Sequence, residues 1–167
     1  MEKSVNLYSL SAKDYKSYLY AALFVCGNIA LPQLCHLVPQ GGLIFLPIYF
    51  FTLIAAYKYG IVTGLVCAIA SPLANSMLFG MPHAAVLPAI MIKSVLLAIS
   101  AAVIAKRCGK VSIAAIAAAV FAYQFAGFVG EWILTSDFIL AIQDFRIGLP
   151  GIALQIVLGY TVLRRMK

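Results

Sequence analysis

Apolar residues run along this chain in long stretches separated by short polar or Gly/Pro breaks. Six stretches can be read: Tyr15–Leu34, Leu43–Tyr57, Ile61–Phe79, Ala84–Ala105, Val111–Leu134 and Ile147–Leu163. A helix that crosses a bilayer needs about 17–25 predominantly apolar residues. Five stretches meet that length, and the second is short enough to predict a tilted or partly re-entrant element. The breaks are Pro39-Gln40-Gly41-Gly42, Lys58-Tyr59-Gly60, Gly80-Met81-Pro82-His83 and Arg107-Cys108-Gly109-Lys110. Pro32, Pro47, Pro72, Pro88 and Pro150 fall within helices or near their outer ends, where kinks would free backbone groups to line a cavity. No internal repeat is visible, so an inverted-repeat transporter finds no support.

Composition turns this pattern into a fold class. Of 167 residues, 64% are hydrophobic and 10% are charged. A soluble domain carries about 25% charged residues, which excludes an ordinary water-soluble globule, and the high hydrophobicity argues against disorder. The expectation is one all-α integral membrane domain over 1–167: a bundle of six transmembrane helices preceded by a polar N-terminal segment, 1–14. Residues Met1 to Ser17 lack an apolar core with a small-residue cleavage site, which argues against a cleaved signal peptide.

The net charge of +7 would suggest nucleic acid in a soluble protein, but the cations sit at the ends of the apolar stretches. With the N-terminus inside, the cytoplasmic segments hold ten of them: Lys3, Lys13, Lys16, Lys58, Lys106, Arg107, Lys110, Arg164, Arg165 and Lys167. The external segments hold only Arg146, and Lys93 lies within a span. That asymmetry predicts that both termini are cytoplasmic. Cys26, Cys35, Cys67 and Cys108 form no CxxC pair, so neither zinc nor a disulfide framework is expected and they read as small packing residues.

Ionisable groups inside a bilayer are costly and face a bundle interior or a cavity. Lys93 is the clearest case, lying nine residues after Ala84 and thus about 14 Å below the external surface at helical rise. Glu131 lies near the outer end of the fifth span, and Gln124 is seven residues earlier, two turns below on the same face. Asn28 and Gln155 fall at a depth similar to Gln124 and Lys93. One reading is a polar pocket open to the outside, roofed by loops holding His36, Gln40, Asn75, His83, Asp137 and Asp144, with Trp132 as a stacking wall for a planar ring. The other is an internal Lys93–Glu131 ion pair, amides that hold helices together, and Trp132 as an interfacial belt residue.

No GxSxG elbow, HExxH motif or paired carboxylates on one helical face appear, and no GxxxxGK[ST] loop. ATP binding in the P-loop manner is therefore excluded, and uphill transport would draw on partners or ion gradients. Ala22, Cys26 and Ala30 recur every four residues on the first span, and Gly60 and Gly64 do so at the start of the third. Such stripes let helices approach closely. The first reads as an outward face for a partner, the second equally as packing within the bundle.

Phe45-Leu46-Pro47, Tyr57-Lys58-Tyr59-Gly60-Ile61-Val62-Thr63-Gly64-Leu65, Ser71-Pro72-Leu73 and Phe79-Gly80-Met81-Pro82 follow one another in order, with Pro32 and His36 ahead of them. In this progression the chain resembles the substrate-binding S component of an energy-coupling factor (ECF) vitamin transporter. The resemblance covers Leu31 to Lys110, with a weaker echo in the last span. It implies a non-catalytic subunit of the prokaryotic cytoplasmic membrane that captures a vitamin or precursor from outside and carries no cofactor of its own. It also implies association with a membrane T component and two cytoplasmic ATPases, and toppling in the bilayer to release the substrate inward. The family's first helix meets the T component through small residues, a place that Ala22, Cys26 and Ala30 take here. Related sequences often carry a glutamate in the fourth span where this chain has Lys93. The resemblance points to pyridoxine-, pyrimidine- or cobalamin-precursor-like substrates. Lys93 would favour an anion, or a neutral ring if Glu131 neutralises it. The substrate-binding set is then Asn28, His36, Gln40, Asn75, His83, Lys93, Gln124, Glu131, Trp132 and Gln155. The alternatives are a small intramembrane enzyme that uses His36 or His83 with an acid such as Glu131, and a scaffold membrane protein.

Overall fold

A computed structural model describes residue 7 and residues 9–166. Lys3, Lys167 and half of the polar segment 1–14 lie outside the described residues. Everything regular among the described residues is helical: α1 (Tyr15–Cys35), α2 (Gly41–Phe45), a 3-10 turn (Pro47–Tyr49), α3 (Phe50–Tyr59), α4 (Ile61–Phe79), α5 (Leu87–Cys108), α6 (Ile113–Thr135), α7 (Phe138–Ala141), α8 (Gln143–Arg146) and α9 (Leu149–Arg165). Local chemistry explains the boundaries. The Asp14 carboxylate caps α1 by accepting from the Lys16 N–H at 3.0 Å, and Ser112 does the same for α6, satisfying first-turn donors that have no partner within the helix. Gly80 (φ 66°) and Gly109 (φ 63°) end α4 and α5 in the left-handed region that glycine enters without a steric penalty.

The short second stretch is the centre of the molecule. It does not run as one helix: Leu46 sits in the left-handed region at φ 48°, and Pro47, which has no N–H, cannot continue α2. The chain turns through Pro47–Tyr49 and restarts as α3, in which every residue from Thr52 to Tyr59 is buried. The surrounding helices α1, α4, α5 and α9 enclose it, and a helix apolar on all sides is one buried on all sides. The α3–α4 approach depends on Gly64, where a Cβ would fall 2.5 Å from the Ala56 Cβ. Gly64 thus belongs to packing inside the bundle, whereas Gly60 (φ 96°) ends α3 and starts α4. Lys58 departs from the loop position expected for it. It is fully buried in the last turn of α3, and its Nζ donates to the Met166 carbonyl at 3.1 Å.

The distribution of polarity is the reverse of a soluble protein's. Leu19, Leu23, Met77, Phe121, Phe125, Ile133 and Val157 face outward, whereas Asn28, Thr52, Ser71, Lys93, Gln124, Glu131 and Gln155 are buried. Four helices, Tyr15–Cys35, Ile61–Phe79, Leu87–Cys108 and Ile113–Thr135, are long and apolar enough to cross a membrane. This is the pattern of a multi-pass membrane protein, in which lipid solvates the apolar exterior. Hydrogen bonds gather one end of the bundle: Leu10 N–H to the Tyr59 carbonyl at 3.1 Å, and Tyr57 hydroxyl to the Lys110 carbonyl at 2.8 Å. With the Lys58–Met166 contact, these bring Lys13, Lys16, Lys106, Arg107, Lys110, Arg164 and Arg165 to the same basic end. The opposite end is built from the α1–α2, α4–α5 and α6–α9 connections.

Candidate binding site

A cavity of about 460 Å³ opens at the end opposite the basic one. Its walls come from Pro32 and His36 of α1, the connection Val38–Leu43, Pro47 and Ile48 of the 3-10 turn, Asn75 of α4, Met81-Pro82-His83, and Val86 and Ile90 at the start of α5. The reversal after α1 is tight enough to require glycine. A Cβ on Gly41 would lie 2.0 Å from the Cys35 carbonyl oxygen, and one on Gly42 would lie 2.9 Å from His36 Nε2. The bare Gly42 backbone therefore leaves room for the His36 imidazole at the cavity wall. Four residues expected at the site, His36, Gln40, Asn75 and His83, are together here. His36, Gln40 and His83 are exposed. Asn75 is instead held in place: its Nδ2 donates to the Asn28 and Ser71 carbonyls, both at 2.9 Å, and its Oδ1 accepts from Gln33 Nε2 at 3.4 Å. The proline and apolar walls, Pro32, Pro47, Ile48, Val86 and Ile90, were not singled out as site residues. In the sequence Pro32 and Pro47 read only as kinks and motif pieces, and Ile48, Val86 and Ile90 carry no signal beyond the Pro/Gly breaks near them.

Lys93, Glu131, Gln124 and Gln155 form a second, separate cluster. Lys93 is 4% exposed, and its stem lies over Gly127, where a Cβ would come within 2.6 Å of Lys93 Cγ. Its ammonium pairs with the Glu131 carboxylate and, at 2.9 Å, with Asp144 Oδ2. The internal Lys93–Glu131 pair anticipated as one reading is thus present, with Asp144 joining it. Asp144 reaches the bundle because the α6–α9 connection folds back as α7 and α8, and Asp137 starts that fold by accepting from the Ile139 and Leu140 N–H groups at 2.9 and 3.1 Å. One ammonium therefore faces two carboxylates. Beside it, the Tyr123 hydroxyl donates to Gln155 Oε1 at 2.9 Å and accepts from Gln124 Nε2 at 3.0 Å. The Tyr49 ring packs on Tyr123 with centroids 5.5 Å apart. The 3-10 turn divides the two regions, with Pro47 and Ile48 facing the cavity and Tyr49 facing the polar cluster.

Asn28 lies in neither region. It is fully buried and ties three helices: Nδ2 donates to Thr52 Oγ1 at 3.0 Å and Ser71 Oγ at 3.2 Å, and Oδ1 accepts from the Phe51 N–H at 3.1 Å. Trp132 is 45% exposed and packs with Phe128 and Phe138, with centroid distances of 6.0 and 5.5 Å, away from the cavity walls. Ala22, Cys26 and Ala30 are all exposed on one face of α1. Among the described residues no group of three or more His, Cys, Asp or Glu side chains is arranged to hold a metal ion. Compared with known proteins, the chain matches no family model, no curated protein and no solved structure.

Proposed function

We propose that this chain is the substrate-binding S component of an ECF-type importer, a six-span subunit of a prokaryotic cytoplasmic membrane. On this reading α2, the 3-10 turn and α3 together form the second crossing and α9 the sixth. The basic end and both termini face the cytoplasm, so the cavity opens outward. The observation that carries the reading is convergence: Pro32, His36, Pro47, Met81 and Pro82, which belong to motif pieces far apart in the chain, meet in one cavity. Its volume lies within the range of about 300–1,000 Å³ typical of small-molecule sites. The exposed Ala22, Cys26 and Ala30 face supports docking to a membrane T component, whose two cytoplasmic ATPases would power release of a vitamin or cofactor precursor inward. That the subunit binds and does not transform is supported by Glu131: an example of the acid an enzyme would place beside His36 or His83, it is paired with Lys93 outside the cavity.

The experiment is extraction of the tagged chain from its native membranes in a gentle detergent, followed by native mass spectrometry. A membrane subunit and two ATPases are expected at fixed stoichiometry, with a small molecule retained in unaltered form. A chain that repeatedly emerges without ATPases refutes the importer reading, and a ligand recovered chemically altered favours the enzyme.

A further inference from the structure

We infer that the cavity accepts an uncharged, largely apolar one- or two-ring heterocycle, and that the buried lysine does not recruit an anionic substrate. The inference rests on the importer reading and adds the chemistry of the ligand to it. Among the described residues no Asp, Glu, Lys or Arg lines the cavity. A phosphate or carboxylate placed there would give up hydration against mostly apolar walls, with the imidazoles of His36 and His83 as the only side chains that could offer it a positive charge. The cation that would have attracted an anion lies elsewhere and already has acidic partners. Lys93 is held by the carboxylates of Glu131 and Asp144, so its charge is met within the protein.

What the cavity does offer is apolar wall with a few directional groups. Among the described residues the side chains of His36, Gln40 and His83 make no hydrogen bond to protein, so donors and acceptors remain for the ring nitrogens and hydroxyl or amino substituents of a neutral heterocycle. Asn75 is the exception, since its amide is engaged by Asn28, Ser71 and Gln33. The volume of about 460 Å³ lies toward the lower part of the small-molecule range. It suits one or two rings.

The test is equilibrium binding to the purified chain in detergent, using matched probes that differ only in charge. These are pyridoxine against pyridoxine 5′-phosphate, a hydroxymethylpyrimidine against its monophosphate, and benzimidazole against benzimidazole carboxylate. The expected result is that at least one neutral member binds ten-fold or more tighter than its anionic counterpart. Ile90→Trp, which fills the cavity, and His36→Ala should each weaken that binding by ten-fold or more. The triple variant Lys93→Met, Glu131→Gln, Asp144→Asn removes the charged cluster without leaving a charge unpaired, and it should bind within two-fold of the parent. Anionic members binding as tightly as neutral ones, loss of affinity in the folded triple variant, or no binding by any neutral probe overturns the inference. Co-purification with ATPases does not depend on which probe binds, so failure of the ligand class and failure of the importer reading remain distinguishable.

Discussion

Replacing Asn28 with alanine tests whether the amide in the first span is structural. Its Oδ1 accepts from the Phe51 N–H at 3.1 Å, in the first turn of α3. No side chain of α3's own N-cap supplies that service, and first-turn donors have no partner of their own within a helix. Deleting the amide leaves a partly buried N–H without its acceptor, at a cost of about 1–3 kcal/mol. It also removes the bonds to Thr52 and Ser71, and interhelical hydrogen bonds in membrane proteins average about 0.6 kcal/mol each. The sum for Asn28→Ala is a destabilisation of about 2–4 kcal/mol. Unfolding in mixed micelles, titrated with sodium dodecyl sulfate and followed by circular dichroism, gives the difference directly. A double-mutant cycle with Thr52→Val should recover a coupling of about 0.6 kcal/mol. Because Asn28 is absent from the cavity walls, ligand affinity of the folded variant should be unchanged. A stability change below about 0.5 kcal/mol combined with a ten-fold loss of affinity would refute the structural assignment and return Asn28 to the binding site.

Gly64→Val places methyl groups where even a Cβ would lie 2.5 Å from Ala56, so α3 and α4 must separate. The expected cost is at least the 1–3 kcal/mol or so typical of overpacking, read in the same unfolding assay, and a silent substitution would show that the helices do not meet there. Cys108 lies at the basic end and Cys35 at the opposite end of the bundle. In intact cells a membrane-impermeant maleimide should therefore label Cys35 and spare Cys108, with the reverse in inside-out vesicles. Labelling of Cys108 from outside would invert the proposed topology. Cys26→Trp adds bulk to the exposed small-residue face of α1 and should abolish co-purification of the ATPases while leaving ligand affinity within two-fold. Normal assembly would show that this face is not the interface.

Much of this protein is legible in one dimension because a bilayer imposes one-dimensional constraints. An apolar run must be long enough, its backbone must be satisfied within the segment, and cations must collect at one end. Tyr15–Leu34 and Ile61–Phe79 accordingly appear in the structure within one residue of their expected ends. His36, Gln40, Asn75 and His83 also meet as expected, because Gly/Pro breaks place their loops at the same end of the bundle. Tertiary structure decided the rest. Nothing local in Leu43–Tyr57 says that its second half becomes the central, fully enclosed helix, since a short apolar run reads alike whether it is tilted, re-entrant or buried. Depth along a span also carries no direction around it. Lys93, Gln124 and Asn28 share a similar depth, yet helix rotation and packing send Asn28 to the α3 cap and Lys93 over Gly127. Asp144, in a polar connection, gives no local sign that α7 and α8 will carry it to that lysine. Which charges pair depends on contacts between residues far apart in the chain, and only the folded bundle brings those together.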